Sequence, residues 1–160
     1  MRGVYESTYR ISAVSAAKTL IYITVPSTIT VDMLDTQVSN ESNETNEQLL
    51  CVWQRVTSLG TPTATAVTPR KKEQGDQASA CTVKANVTAS EPTYGSIAQG
   101  ADPGVSFAAK GFPSLGGYAD TPIPETRFTI APGDTYGLRL INAPSSAIDV
   151  VIAITHQERG

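Results

Sequence analysis

Apolar and polar residues alternate with a period of two in three segments near the C-terminus, 128–130, 136–140 and 148–154. Successive side chains of a β-strand point to opposite faces, so each segment predicts a strand with one buried face. Two turn sequences separate them, Pro132-Gly133-Asp134 and the stretch 142–146. Proline fixes φ and glycine accepts turn conformations, so neither sequence continues a helix. This part of the chain is predicted to be antiparallel sheet.

Strand patterns also occur earlier, at 11–14, 19–25, 28–35, 49–57 and 81–87, with weaker patterns at 94–98 and 105–109. The segment 49–57 is apolar on both faces, with Val52 on one and Trp53 on the other. Such a pattern is typical of a central strand whose second face is covered. The total is about eight to ten strands, which favours two packed antiparallel sheets.

Residues 1–10 predict an N-terminal arm or first strand rather than a core element. Val4, Tyr5 and Tyr9 stand there among small and charged residues. Arms of this kind often pair with a neighbouring molecule. Residues 11–160 are predicted to form a single β-sandwich domain.

Two loops are predicted from composition. The stretch 39–48 is wholly polar and should face solvent. The stretch 111–124 is rich in glycine and proline but carries four apolar side chains, those of Phe112, Leu115, Tyr118 and Ile123. A loop of this length with apolar residues is expected to pack against something.

Composition supports an all-β protein and bears on its partners. A chain of 160 residues is one domain's worth and buries about 70% of its unfolded surface. Charged residues make up 17% of the chain, and the net charge is -3. Basic residues cluster at Arg70-Lys71-Lys72, and acidic residues follow at once. Neither a nucleic-acid surface nor a membrane surface is therefore predicted.

The chain contains no run of about 18 apolar residues and does not begin with the basic-then-apolar order of a signal peptide. It is expected to be soluble and made in a cytoplasm, where thiols stay reduced. Cys51 and Cys81 both fall in strand patterns. They are predicted to be two buried small hydrophobic residues rather than a disulfide.

Candidate chemistry is sparse. The one histidine, His156, lies in the polar tail Thr155–Gly160 and is predicted to be an exposed end residue. Without a second histidine or a cysteine pair at ligand spacing, a zinc site is not predicted. No catalytic residue and no cofactor is assigned, and an enzyme is not expected.

Sequence blocks along almost the whole chain resemble a family of small virion proteins of tailed bacteriophages. These blocks are Tyr9–Leu20, Asn43–Leu50, Gln54–Thr57, Thr68-Pro-Arg70 with Gly75-Asp76, Thr121–Arg127, Ala131–Asp134 and Ala143-Pro144. They are strand and turn sequences rather than catalytic signatures. In place of the acidic ending of the family, this chain ends His156-Gln-Glu-Arg-Gly160.

The resemblance implies a jelly-roll-like β-sandwich that sits on the outside of the phage head as a decoration, or cement, protein. Its implied partners are the major capsid protein and two further copies of itself in a homotrimer. The implied location is the capsid surface of the virion.

Aromatic residues outside a core are the strongest interface anchors. Candidate contact residues are therefore Val4, Tyr5, Tyr9, Phe112, Leu115 and Tyr118. The alternative for these residues is that they cap the ends of the sandwich.

Two other functions remain open: a tail, neck or fibre module of the virion, and a carbohydrate-binding module. The aromatic stacking platform of such a module would consist of Trp53, Tyr94, Phe112 and Tyr118. Trp53 fits a core position better, because it lies in the most apolar strand.

Overall fold

The protein is described by a computed structural model over residues 2–42, 46–95 and 106–160. These residues form thirteen strands: β1 Gly3–Val14, β2 Lys18–Thr24, β3 Thr30–Asn40, β4 Gln48–Ser58, β5 Thr63–Val67, β6 Arg70–Lys71, β7 Thr82–Ala89, β8 Thr93–Tyr94, β9 Ser106–Pro113, β10 Tyr118–Asp120, β11 Thr129–Ile130, β12 Thr135–Leu140 and β13 Ile148–Arg159. A single 3-10 turn at Pro124–Thr126 accompanies them, and this described part holds no helix with the length and apolarity to cross a membrane.

The strands form two antiparallel sheets, as the alternating sequence predicts. Sheet A has the order β10-β3-β13-β1-β6, with β11 also paired to β3. Sheet B has the order β5-β7-β2-β12-β4-β8, with β9 also paired to β4. The all-β sandwich fold is therefore confirmed. Nine strands have five or more residues and four are shorter, which fits the expected eight to ten main strands.

Eight of the strands follow the order of a jelly roll. Sheet A contains β1, β13, β3 and β10 in that order, and sheet B contains β2, β12, β4 and β9. Strands that follow one another in the chain, such as β1 and β2 or β12 and β13, lie in opposite sheets. Of the strands that come between β4 and β9 in the chain, β5 and β7 widen sheet B beside β2, β6 joins sheet A beside β1, and β8 pairs with β4.

The core lies between the two sheets. Trp53 of β4 is fully buried, and its indole Nε1 donates a 3.0 Å hydrogen bond to Thr36 Oγ1 of β3. This bond joins sheet B to sheet A and satisfies the one polar group of the largest core side chain. Cys51 and Cys81 are buried and unpaired, as predicted.

The N-terminal segment is a strand and not an arm. β1 pairs with β13 from Gly3 to Val14, with a register shift near its end where Ala13 has a φ of 55°. Its other edge pairs with β6 at Tyr5 and Glu6. Of the two predicted alternatives, an arm or a first strand, the segment is thus the first strand; its sequence does not reveal its central place in sheet A, because its partners come from residues 70–71 and 148–159.

The three predicted C-terminal strands are present in antiparallel pairings, with β11 and β13 joined to β3 in sheet A and β12 joined to β2 and β4 in sheet B. One further prediction needs correction. The predicted loop at 111–124 holds the end of β9, all of β10 and the start of the 3-10 turn. The turn at 142–146 reverses the chain by crossing between the sheets.

Candidate functional site

The predicted contact residues of the N-terminal segment do not form an exposed anchor. Tyr5 is fully buried, and its hydroxyl lies 3.0 Å from the carbonyl of Arg2 and 2.9 Å from that of Gln77. Val4 and Tyr9 are half-buried, and Tyr9 packs against the core. Tyr5 points inward because odd-numbered positions of β1 face the core.

The second predicted group lies at the opposite edge of the sandwich, where β9 turns into β10. Phe112 and Tyr118 are buried with their ring centroids 6.0 Å apart. The turn between them requires Gly117, whose φ is +68° and whose position leaves no room for a Cβ beside the Val38 carbonyl. Leu115 stands at this turn with 55% of its surface exposed.

The structure therefore does not bring the six residues together. Three are core side chains, two are half-buried, and Leu115 is the exposed one. Its nearest counterpart in exposure is Ile123, at 63%. These two are the exposed large hydrophobic residues of the described chain. The interface role itself remains a prediction.

The four rings considered as a carbohydrate platform do not share an open face. Trp53, Phe112 and Tyr118 are buried in the core. Tyr94 is half-buried on the outer face of sheet B, where the guanidinium of Arg139 lies 4.4 Å from its ring centroid. A sugar needs an open ring face for stacking. These four residues provide no common face of that kind.

A groove of about 790 Å³ lies between β1 and the segment that runs from β5 of sheet B to β6 of sheet A. Tyr9 and Val67 line its apolar part and pack against the core. Arg70, Lys71 and Lys72 border it, with Lys72 paired to Glu6. The hydrogen bond from Lys72 lowers the pKa of Glu6. The groove thus combines a small apolar floor with a basic rim.

A buried polar cluster closes the other end of the β1–β13 pair. Inward-facing positions of β13 are the even-numbered ones, and the row that begins at Ile148 continues to His156 and Glu158. Both residues are fully buried. The prediction that His156 is an exposed end residue is therefore wrong. The period of two, extended past Thr155, is the sequence signal that identifies both residues.

Glu158 anchors the segment that leads into β7. Its carboxylate accepts hydrogen bonds from Ser79 Oγ at 2.5 Å, from the Ala80 amide at 3.0 Å and from the Cys81 amide at 3.3 Å. Arg2 Nε lies 3.1 Å from Glu158 Oε2 in an ion pair. Burial acts to raise the pKa of Glu158, but its interactions with His156, Ser79 and the two amides lower it well below its usual range.

His156 lies between Tyr5 and Glu158. Its ring stacks on Tyr5 with 5.5 Å between centroids, and Nε2 lies 3.7 Å from Glu158 Oε1. That distance is too long for a hydrogen bond. Both ring nitrogens are buried, and neither has a hydrogen-bond partner among the described residues. Buried polar atoms without partners are rare and costly.

Cys81 completes the cluster. Its sulfur, a ring nitrogen of His156 and a carboxylate oxygen of Glu158 all lie within 4.8 Å of one another. A thiol, an imidazole and a carboxylate are the residue types of a cysteine nucleophile with its base. However, burial and the Glu158 charge raise the pKa of Cys81, whereas an activated thiol has a lowered pKa. The same three groups are also good ligands for zinc.

Sequence reasoning missed this cluster because its members are far apart in the chain. Cys81 was predicted to be a buried hydrophobic residue, which holds for its burial but not for its polar neighbours. The distance of 75 residues between Cys81 and His156 hides any ligand spacing. Comparison with known protein families, curated proteins and solved structures finds no match to this chain.

Proposed function

We propose that this chain is a structural virion protein of a tailed bacteriophage that binds the outside of the capsid as a decoration, or cement, protein. The observation that carries the proposal is where the blocks of sequence resemblance fall in the fold. The block Ala131–Asp134 forms the turn between β11 and β12, and Ala143-Pro144 lies in the turn between β12 and β13. Thr121–Arg127 connects β10 to β11. These three blocks therefore lie in the turns and connections between strands of the β-sandwich.

The jelly-roll strand order is compatible with this role, since jelly rolls occur in viral capsid proteins and also in lectins. Fold alone does not decide between such functions. The burial of three of the four aromatic rings speaks against the carbohydrate alternative. It leaves the virion function as the better-supported proposal.

A cement protein holds neighbouring capsid subunits through many copies of a weak contact, whose combined strength exceeds that of any single one. Exposed apolar side chains at an edge of a rigid sandwich suit such a contact. Leu115 and Ile123 are the side chains of this kind among the described residues. We propose that they contribute to contacts with the major capsid protein or with the other copies of a homotrimer.

Location and copy number in purified particles test the function directly. Quantitative mass spectrometry gives the number of copies per particle, and cryo-electron microscopy gives their position. Hundreds of copies spread over the icosahedral shell support a cement protein. A few copies at a vertex or on the tail overturn that role and favour a neck, tail or fibre component.

Removal of residues 1–10 would not test a capsid contact, because it deletes most of β1 from sheet A. Leu115→Glu is the sharper change, since the side chain is exposed and its replacement leaves the core intact. We expect this variant to lose occupancy on the shell while keeping its thermal stability. Thr65→Glu, an exposed position of β5 at the opposite edge, is the matched control. Equal occupancy of both variants would rule out the contact at Leu115.

A further inference from the structure

The donor set of the buried cluster has the chemistry of a metal site. Cys81, His156 and Glu158 supply one sulfur, one nitrogen and one oxygen donor, each from a buried residue. Thiolate, imidazole and carboxylate together suit zinc, a borderline-soft cation. Magnesium and calcium prefer sites made wholly of oxygen donors. The set therefore selects for a zinc-like ion.

The spacing of the donors is close to that of a coordination shell. Zinc–ligand bonds of about 2.0–2.3 Å place two tetrahedral ligands roughly 3.3–3.7 Å apart. His156 Nε2 and Glu158 Oε1 are already 3.7 Å apart, and no pair among the three donors exceeds 4.8 Å. A contraction of about 1 Å in the longest separation would complete the geometry. Side-chain rotation at Cys81 is enough for a change of that size.

The unpartnered histidine is the independent observation that points to a ligand. Its two nitrogens have no hydrogen-bond partner among the described residues, although the side chain is fully buried. A metal ion bound to Nε2 would supply the missing interaction for one of them. The polar atoms of Glu158, by contrast, are well satisfied in the absence of an ion.

The backbone holds these ligands in place. His156 and Glu158 lie on β13, which is hydrogen-bonded to β1 on one side and β3 on the other. The amide of Cys81 is fixed by the Glu158 carboxylate at 3.3 Å. Ligands on paired strands are more precisely positioned than ligands on free loops. Arg2, which is partly exposed, pairs with the fully buried Glu158.

We propose that Cys81, His156 and Glu158 form a binding site for Zn²⁺ or a similar thiolate-binding divalent cation. Binding replaces the thiol proton of Cys81 with the metal–sulfur bond and releases that proton to solvent. Thiolate and carboxylate together neutralise the two charges of the ion. The Ser79 hydroxyl, which is bonded to Glu158, lies beside the group and offers a further oxygen. The site would join the C-terminal strand to the segment before β7.

Cobalt titration of the full chain tests the site. The protein is used without a histidine tag and is first treated with a chelator, and Co²⁺ is the probe because it absorbs light when bound to thiolate. We expect one Co²⁺ per chain, a sulfur-to-cobalt band in the near ultraviolet, and loss of that band when Zn²⁺ is added. We also expect Zn²⁺ to raise the unfolding temperature. A wild-type chain that shows no cobalt band and no zinc-dependent stabilisation would overturn the proposal.

Two cysteine variants assign the ligand. Cys81→Ala should lose the sulfur-to-cobalt band. Its affinity for Co²⁺ should fall by more than the roughly 10- to 100-fold that is typical when a residue supporting a metal ligand is removed. Cys51→Ala removes the other buried thiol and should keep the band. A band of equal strength in both variants would contradict the assignment. If Cys81→Ala does not fold, His156→Gln is the second ligand variant, and the wild-type titration still decides whether a site exists.

Discussion

The two ends of the β1–β13 pair carry similar ionic chemistry in different surroundings. At one end Arg2 pairs with Glu158, whose side chain is fully buried. At the other end Arg10 pairs with Glu41 at 2.6 Å and with Asp149 at 2.7 Å, and the Arg10 side chain is 54% exposed. Each end joins an arginine, Arg2 just before β1 or Arg10 within it, to a carboxylate of β13. The carboxylate is fully buried at the Arg2 end and partly exposed at the Arg10 end.

That difference decides how much each end contributes to stability. An exposed ion pair gains little, because water and salt screen the charges and two long side chains must be ordered. A buried carboxylate has already lost its hydration, so removal of its partners or of the carboxylate itself leaves polar groups unsatisfied. We therefore expect the Glu158 end to be a strong structural anchor and the Arg10 end to be a weak one.

The largest effect is expected for Glu158→Ala. The substitution leaves the amides of Ala80 and Cys81 and the Ser79 hydroxyl without their acceptor. We expect a loss of about 3–5 kcal/mol in the free energy of unfolding. Urea denaturation at neutral pH with a chelator present measures it. Asp149→Ala is the matched control at the exposed end, and equal losses in the two variants would show that burial does not separate them.

Removal of the hydroxyl of Tyr5 should have the next largest effect. Burial and the Glu158 charge raise the pKa of Tyr5. Because the folded protein favours the neutral phenol, Tyr5 contributes stability while it is neutral. This contribution is lost as the pH rises above about 10, the ordinary pKa of tyrosine. Tyr5→Phe should cost about 1 kcal/mol at pH 7, because the carbonyls of Arg2 and Gln77 lose the hydroxyl that donates to them.

The same variant should lose stability less steeply than the wild type as the pH rises from about 9 to 11. Denaturation in urea across this range gives both slopes. Arg10→Ala serves as the control, since it should keep the wild-type slope. If the free energy of unfolding of Tyr5→Phe changed with pH as steeply as that of the wild type, the ionisation of Tyr5 would not be linked to folding.

His156→Phe tests whether the unpaired ring nitrogens weaken the buried end. Phenylalanine keeps a flat ring against Tyr5 and removes two buried nitrogens that lack partners. In the metal-free protein we expect stability to stay the same or to rise by up to about 1 kcal/mol. Thermal unfolding in the presence of a chelator measures the change. A substantial loss would mean that a nitrogen has a partner that the substitution removes.

The smallest effect is expected for Arg10→Ala. Both of its ion pairs are exposed, so the loss in the free energy of unfolding should be small and should shrink as salt is added. Urea denaturation at low and high ionic strength measures the difference. A loss as large as that of Glu158→Ala would remove the distinction between the two ends.

The sequence predicts those parts of the fold where a strand has a strong pattern of its own. The row at 148–154 and the doubly apolar strand around Trp53 are both confirmed, and so is the burial of Cys51. Side-chain alternation depends on local geometry, so it can be recognised without knowledge of the partner strands. The sandwich class follows from the number of such strands.

Burial that depends on distant partners could not be predicted in this way. Tyr5 and His156 lie in polar surroundings along the chain and are buried because β1, β6 and β13 meet in sheet A. The proline and glycine of a turn also do not reveal whether the turn joins two paired strands of one sheet or carries the chain to the opposite sheet. The expectation that Tyr5 lies outside the core rested on that missing information.

The pairing of β1 with β13 also determines when this protein can fold. Gly3 lies opposite Glu158, and β13 separates β1 from β3 in the middle of sheet A. During synthesis β1 and β3 therefore emerge from the ribosome before β13, the strand that lies between them in the sheet. Sheet A closes only after residue 159 has left the ribosome, so the nascent chain exposes its apolar strands until then. Chaperone binding should consequently be concentrated on chains that still lack their last strand.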